Sequence, residues 1–96
     1  MGDLCLDPAS HRVTRDGTEI ELTSREFSVL EFLMRRADEF VAKSEILENV
    51  WDFSFEGDPN IVEVYVRRLR KKADEPFGRN SIATKRGAGY RLSSDG

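Results

Sequence analysis

The sequence predicts an α+β fold of the winged helix-turn-helix type, and three observations predict it. Short alternating runs separated by turn signals occupy the first twenty residues. Three helical periodicities follow between Thr23 and Ala73, and two strand-like runs joined by Arg86-Gly87-Ala88-Gly89 close the chain. The expected order is a small N-terminal antiparallel sheet, three helices and a C-terminal β-hairpin wing. With 96 residues, 39% of them hydrophobic and nine aromatic, the chain suits one modest core and a single domain spanning residues 1–96.

Leu4-Cys5-Leu6 reads as a first strand, stopped by Asp7-Pro8. His11 to Thr14 reads as a second, ended by Asp16-Gly17, a dipeptide that favours a two-residue hairpin turn. Thr18 to Leu22 is a third, with Ile20 and Leu22 on one face. Thr23-Ser24-Arg25-Glu26 then fits a capping box, in which Thr23 accepts from the Glu26 amide and Glu26 reaches back. The helix it opens runs to about Ala37. Phe27, Leu30, Leu33 (or Met34) and Ala37 form its buried stripe, widened by Val29 and Phe32. Phe40-Val41 is a short extended piece, and Lys43 to Trp51 a second helix with Ile46, Leu47, Val50 and Trp51 apolar.

Asp52 to Gly57 is a loop carrying Phe53 and Phe55. The third helix runs from Asp58, a good N-cap followed by Pro59 at the first helical position, to about Ala73. Val62, Val66, Leu69 and Ala73 form its apolar face, while Asn60, Val64, Arg67, Arg68 and Lys71 lie on another. One stripe can meet a core and the other an anion, the division expected of a nucleic-acid recognition helix. Glu75-Pro76-Phe77-Gly78 ends it, and Ser81 to Lys85 with Tyr90 to Ser93 form the terminal hairpin, glycines permitting its turn.

The formal charge of −3 conceals an asymmetry. Between Arg67 and Arg91 nine Lys/Arg face only Asp74 and Glu75, a balance of +7; the remainder stands at −10. A polyanion responds to the local field, so the basic third is the phosphate-facing part. A basic solvated helix balanced by acidic loops is the competing reading of the charge alone. No apolar run approaches the ~18 residues of a transmembrane helix. The start, MGDLCLD, lacks the basic and apolar regions of a signal peptide. Lone Cys5 fits a reducing compartment. Cys5 and His11 are isolated and make no metal site, and neither a nucleophile motif nor a phosphate-binding glycine loop points to catalysis or a cofactor.

Leu22-Thr23 with Glu26-Phe27 and Leu30, Leu47 with Val50-Trp51, the run Val62 to Arg70, and Arg86-Gly87-Ala88-Gly89-Tyr90 occur at matching intervals. With these motifs the chain resembles the C-terminal DNA-binding domain of OmpR/PhoB-family bacterial response regulators over almost its whole length. The RRLR block followed by RGxGY is the specific part. The resemblance implies a four-stranded N-terminal sheet, no enzymatic activity and a cytoplasmic bacterial setting. It also implies a phosphorylatable receiver domain and a sensor kinase upstream. There is no room here for a receiver of ordinary domain size, ~100–150 residues. The likeness further implies double-stranded DNA as partner, as direct repeats, with RNA polymerase as a second partner and an isolated domain that is monomeric off DNA.

By that resemblance Asn60, Ile61, Glu63, Val64 and Arg68 are base-contact candidates. Asn60 suits adenine, Arg68 guanine, Glu63 cytosine N4, and Val64 or Ile61 a thymine methyl. Core packing competes at Ile61, and an intrahelical pair with Arg67 competes at Glu63. Lys43, Tyr65, Arg67, Arg70, Lys71, Thr84 and Lys85 are phosphate candidates, which position without reading sequence. Tyr65 packing against the core edge is the alternative there, and Lys72 is expected to be an ordinary solvated lysine. Arg86 resembles the family's minor-groove arginine, and Tyr90 is expected in the hairpin core. The family often has Ser or Thr directly before the second helix; the order Lys43-Ser44 implies a shifted or weak cap. Phe53 and Phe55 are either a polymerase-contact loop or fold back on Trp51. An interaction module on the same scaffold would instead carry an apolar, uncharged third helix.

Overall fold

Asp16 and Gly17, with φ of 52° and 80°, make the tight turn that starts the N-terminal sheet in the computed structural model. The structure describes residues 3–51 and 57–93. β1 (Leu4–Asp7), β2 (Arg12–Arg15) and β3 (Thr18–Ile20) form one antiparallel sheet in the order β1-β2-β3. Leu6 pairs with Val13, and Val13 with Ile20, so alternate residues turn Leu4, Val13 and Ile20 into the core. The sheet has three strands among the described residues, where the resemblance implied four. β3 stops at Ile20, and Leu22 lies beyond it, partly buried against the core. His11, expected in the second strand, instead occupies the preceding turn at φ 55°, its ring stacked on Phe27 at 4.2 Å.

α1 (Ser24–Arg35) opens with the expected capping box. Thr23 Oγ1 accepts from the Glu26 amide at 3.3 Å, and Glu26 Oε1 accepts from the Thr23 amide at 2.8 Å. Phe27, Val29, Leu30 and Leu33 are buried. α2 (Lys43–Val50) begins at Ala42, which offers no side-chain acceptor; only the returning half of a box exists, Glu45 accepting from the Ala42 amide at 3.2 Å. Its buried anchor is Ile46, with Leu47, Val50 and Trp51 partly covered.

α3 (Ile61–Leu69) starts later than the expected cap at Asp58. Pro59 and Asn60 form a turn instead, because Asp58 Oδ1 accepts from the Asn60 amide at 2.9 Å and the Asp58 carbonyl from the Ile61 amide at 3.0 Å. The helical path continues as a π-helical turn, Arg70–Asp74, then a 3-10 turn, Glu75–Phe77, and ends at Gly78 with φ 63°. Val62, Val66, Leu69 and Ala73 are all buried, as their spacing predicts. The wider turn brings Asp74 inward beside Ala73.

β4 (Ile82–Lys85) and β5 (Gly89–Leu92) form the terminal hairpin, with Thr84 opposite Tyr90 and Lys85 opposite Gly89. Val41 adds a bridge to this hairpin, exchanging hydrogen bonds of 2.8 and 2.9 Å with Tyr90. The approach is close enough that a Cβ on Gly89 would lie 2.0 Å from the Val41 carbonyl oxygen. Buried Arg15 ties sheet, helix end and wing together. It donates to the Ala73 carbonyl and to Asp74, both at 2.6 Å, and to Asp3 at 3.1 Å. Asp74 in turn accepts from the Ser81 hydroxyl and from the Ser81 and Ile82 amides.

Candidate nucleic-acid interface

With Val62, Val66 and Leu69 turned inward, α3 leaves Asn60, Glu63, Arg67, Arg68 and Lys71 exposed, with Val64 half-buried beside them. Among the described residues, no hydrogen bond or ion pair engages the side chains of Arg67, Lys71 or Arg86. Arg68 lies over the Tyr65 ring at 5.1 Å, and Tyr65 meets Trp51 edge-on at 5.4 Å. The Tyr65 ring thus packs on the core edge. Ile61 likewise packs partly buried against the core.

Glu63 pairs with Lys43 of α2 at 2.9 Å rather than with Arg67 one turn on. Lys43 Nζ also donates to Asn60 Oδ1 at 3.0 Å. The hydrogen bond that Lys43 donates to Glu63 holds its ammonium above the usual lysine range. Three residues proposed for two different roles are therefore one cluster joining α2 to the start of α3.

Arg70 is turned toward the wing. Its Nε and Nη2 donate to the Ile82 carbonyl at 3.1 and 2.9 Å, and Nη2 also bonds Thr84 Oγ1. Lys72 is not a freely solvated lysine: its Nζ lies 2.7 Å from Glu26 Oε1, whose side chain is 1% exposed. Burial pushes the Glu26 carboxyl up, but the Lys72 and Thr23 hydrogen bonds outweigh it and hold it below the ordinary range. Lys85 stands 5.8 Å and Arg91 4.7 Å from the Phe40 ring, flanking it with cations.

Arg86, Gly87 and Ala88 project beyond the Lys85–Gly89 pair, and Tyr90 is buried in the hairpin. Between wing and helices runs a groove of about 520 Å³ lined by Lys43, Ser44, Glu63, Lys85, Arg86 and others. Lys43, Lys85 and Arg86 outnumber Glu63 along it, which suits a phosphate chain more than a small ligand. Among the described residues no group of His, Cys, Asp and Glu is placed to hold a metal, and no helix is long and apolar enough to cross a membrane. Phe53 and Phe55 lie outside the described residues. The sequence reading did not single out Arg25, whose guanidinium lies 5.0 Å from the Trp51 ring and donates to the Val50 carbonyl, fixing the end of α2. Nor did it single out Phe40 as a seat for wing cations. Both depend on contacts between distant segments, for which local spacing carries no signal.

A basic helix beside a basic β-hairpin, both set on a three-helix core, defines a winged-helix DNA-binding domain. Residues 17–92 match the family model described as "Transcriptional regulatory protein, C terminal", and the chain belongs to that family, the DNA-binding effector domains of OmpR/PhoB-type response regulators rather than enzymes. Transcriptional regulatory protein TcrA of Mycobacterium tuberculosis is 53% identical over 95 residues, covering 99% of this chain and 38% of that protein. The chain thus spans about two fifths of the length of the curated relatives it matches. Response regulator DrrB of Thermotoga maritima, an OmpR/PhoB homolog, superposes with a TM-score of 0.84 at 32% identity, over 98% of this chain and 43% of that one. The DNA-binding domain of Klebsiella pneumoniae RstA, solved in complex with the RstA box, gives 0.84 at 29% identity, over 96% and 92%.

Proposed function

We propose that this domain binds double-stranded DNA in a sequence-specific manner, with α3 in the major groove and the wing in the minor groove. The observation that carries this reading is the division of α3. Its apolar stripe is buried, while Arg67, Arg68 and Lys71 stand exposed and Arg70 between them reaches the wing. A helix-turn-helix presents the N-terminal half of such a helix to base edges. Asn60, Glu63, Val64 and Arg68 are the base-reading set, with Ile61 marginal because it packs on the core. Arg67, Lys71 and Lys85 hold phosphates, and Tyr65 contributes at most its hydroxyl. Arg86 enters a narrow minor groove, where negative potential is strongest. Arg70 and Thr84, bonded to each other, act chiefly as a brace between helix and wing.

On this reading residues 1–96 are one effector domain of a longer cytoplasmic bacterial regulator. A receiver domain phosphorylated by a sensor kinase would govern it, and the isolated domain would be monomeric off DNA. Two copies would occupy direct repeats about one helical turn, ~10–11 bp, apart, and contact with RNA polymerase would follow.

Paired substitutions test the assignment. Arg68→Ala should cost about 1–3 kcal/mol and relax preference at one base pair. Arg67→Ala should weaken every sequence alike and flatten the salt dependence by about one ion. Titrations of matched and scrambled duplexes at several salt concentrations separate the two, and equal loss on all sequences for Arg68→Ala would refute its reading role.

A further inference from the structure

We infer that Lys43 is a specificity-determining residue, holding Glu63 and Asn60 as one base-reading unit rather than serving as a phosphate contact. The inference rests on the proposed placement of α3 in the major groove. Lys43 is the first residue of α2, whereas Asn60 and Glu63 stand at the start of α3. One ammonium bridges them, 3.0 Å from Asn60 Oδ1 and 2.9 Å from Glu63 Oε1.

Three physical points favour a reading unit. First, an ammonium has three N–H donors, and these two bonds occupy two of them. A lysine so engaged is a poor phosphate clamp. Second, a lysine cannot accept, so the Asn60 amide must turn its oxygen inward and its NH2 group outward. Glu63 likewise keeps Oε2 as an outward acceptor. The unit therefore offers a fixed donor and a fixed acceptor side by side, the acceptor matching cytosine N4. Third, a lone carboxylate facing DNA is repelled by the phosphates, and a cation at 2.9 Å removes most of that penalty. The same hydrogen bond strengthens the ammonium's hold on its proton. Lys43 is one third exposed and Glu63 about half, so the unit is open to a ligand.

Selection from random DNA by the wild-type domain and by Glu63→Gln identifies the base pair whose cytosine preference depends on Glu63. The affinity ratio between that site and its cytosine-to-thymine variant is then measured for wild type, Lys43→Met, Glu63→Gln, the double variant and Lys43→Arg. Lys43→Met should lower the ratio about tenfold, Glu63→Gln similarly, and the double variant no further, because both remove one reader. Lys43→Arg, which keeps a cation beside Glu63, should retain most of the ratio and shows that the site still folds. The inference is overturned if Lys43→Met leaves the ratio intact while weakening both duplexes equally and flattening the salt slope by about one; that is phosphate contact alone. It is also overturned if Glu63→Gln changes preference at no position. Should Arg68→Ala still alter selectivity in either case, only the Lys43 inference fails. Should the wild type show no preference anywhere, the placement of α3 fails with it.

Discussion

At Gly89 a methyl group would meet the Val41 carbonyl oxygen at 2.0 Å, on a backbone at φ 111°. At Gly87, two residues earlier, φ is 84° but nothing lies within 4 Å. The two positions separate steric exclusion from backbone preference. Gly87→Ala should destabilise by about 1–2 kcal/mol, the left-handed penalty alone. Gly89→Ala should lose roughly 2–4 kcal/mol and break the Val41–Tyr90 bridge. Urea unfolding compares them, and similar losses would mean that the close approach relaxes easily. Glu26 supplies the pH dependence. Its folded-state carboxyl lies below the ordinary value of 4.5, so its contribution is complete above that pH and fades as pH falls through the lower folded value. Asp3, where Arg15 and Arg79 outweigh burial, acts in the same direction below 3.8. Lys72→Met leaves Glu26 buried with only the Thr23 contacts. The acid unfolding midpoint, followed by circular dichroism, should move to higher pH, with a loss of about 1–2 kcal/mol at pH 7 for this part-exposed pair.

Within the third helix, spacing was a good guide to what is buried and a poor one to what each cation does. Val62, Val66, Leu69 and Ala73 could be placed inside from period alone, and all four are. The capping box at Thr23 and Glu26 was equally legible, because both partners lie within one turn. Arg67, Arg70 and Lys72, however, look alike in sequence. One is exposed, one is bonded to Ile82 and Thr84 in β4, and one reaches Glu26 in α1. These partners are distant along the chain, so only the folded geometry separates the roles. The π-helical turn at Arg70–Asp74 was hidden for a related reason, since one additional residue in a turn leaves the apolar pattern through Ala73 nearly unchanged. Arg70→Ala should lower stability by about 1–2 kcal/mol through its lost carbonyl and hydroxyl bonds. It should weaken DNA binding with little change in salt slope, unlike Arg67→Ala. A full unit of slope lost with unchanged melting would return Arg70 to the phosphate set.

Across the whole molecule, the Arg15–Asp74 pair joins three segments that local interactions would leave separate. It sits where the N-terminal sheet, the end of the third helix and the first wing strand converge. Asp74→Ala would leave a buried guanidinium without its main counter-charge, and should cost about 3–5 kcal/mol in thermal or denaturant unfolding. Joint replacement by Arg15→Met with Asp74→Leu should lose much less, because no uncompensated charge remains. The bridge between Val41 and Tyr90 acts at the opposite end of the hairpin and makes the wing a short cantilever. Its free arm is only Arg86, Gly87 and Ala88, and the Ala88 amide already donates to the Lys85 carbonyl at 3.0 Å. Immobilising a residue forfeits about 1–2 kcal/mol of conformational freedom. Docking the tip therefore needs to still three residues at most, and each residue inserted into that arm would weaken the grip without touching a single contact.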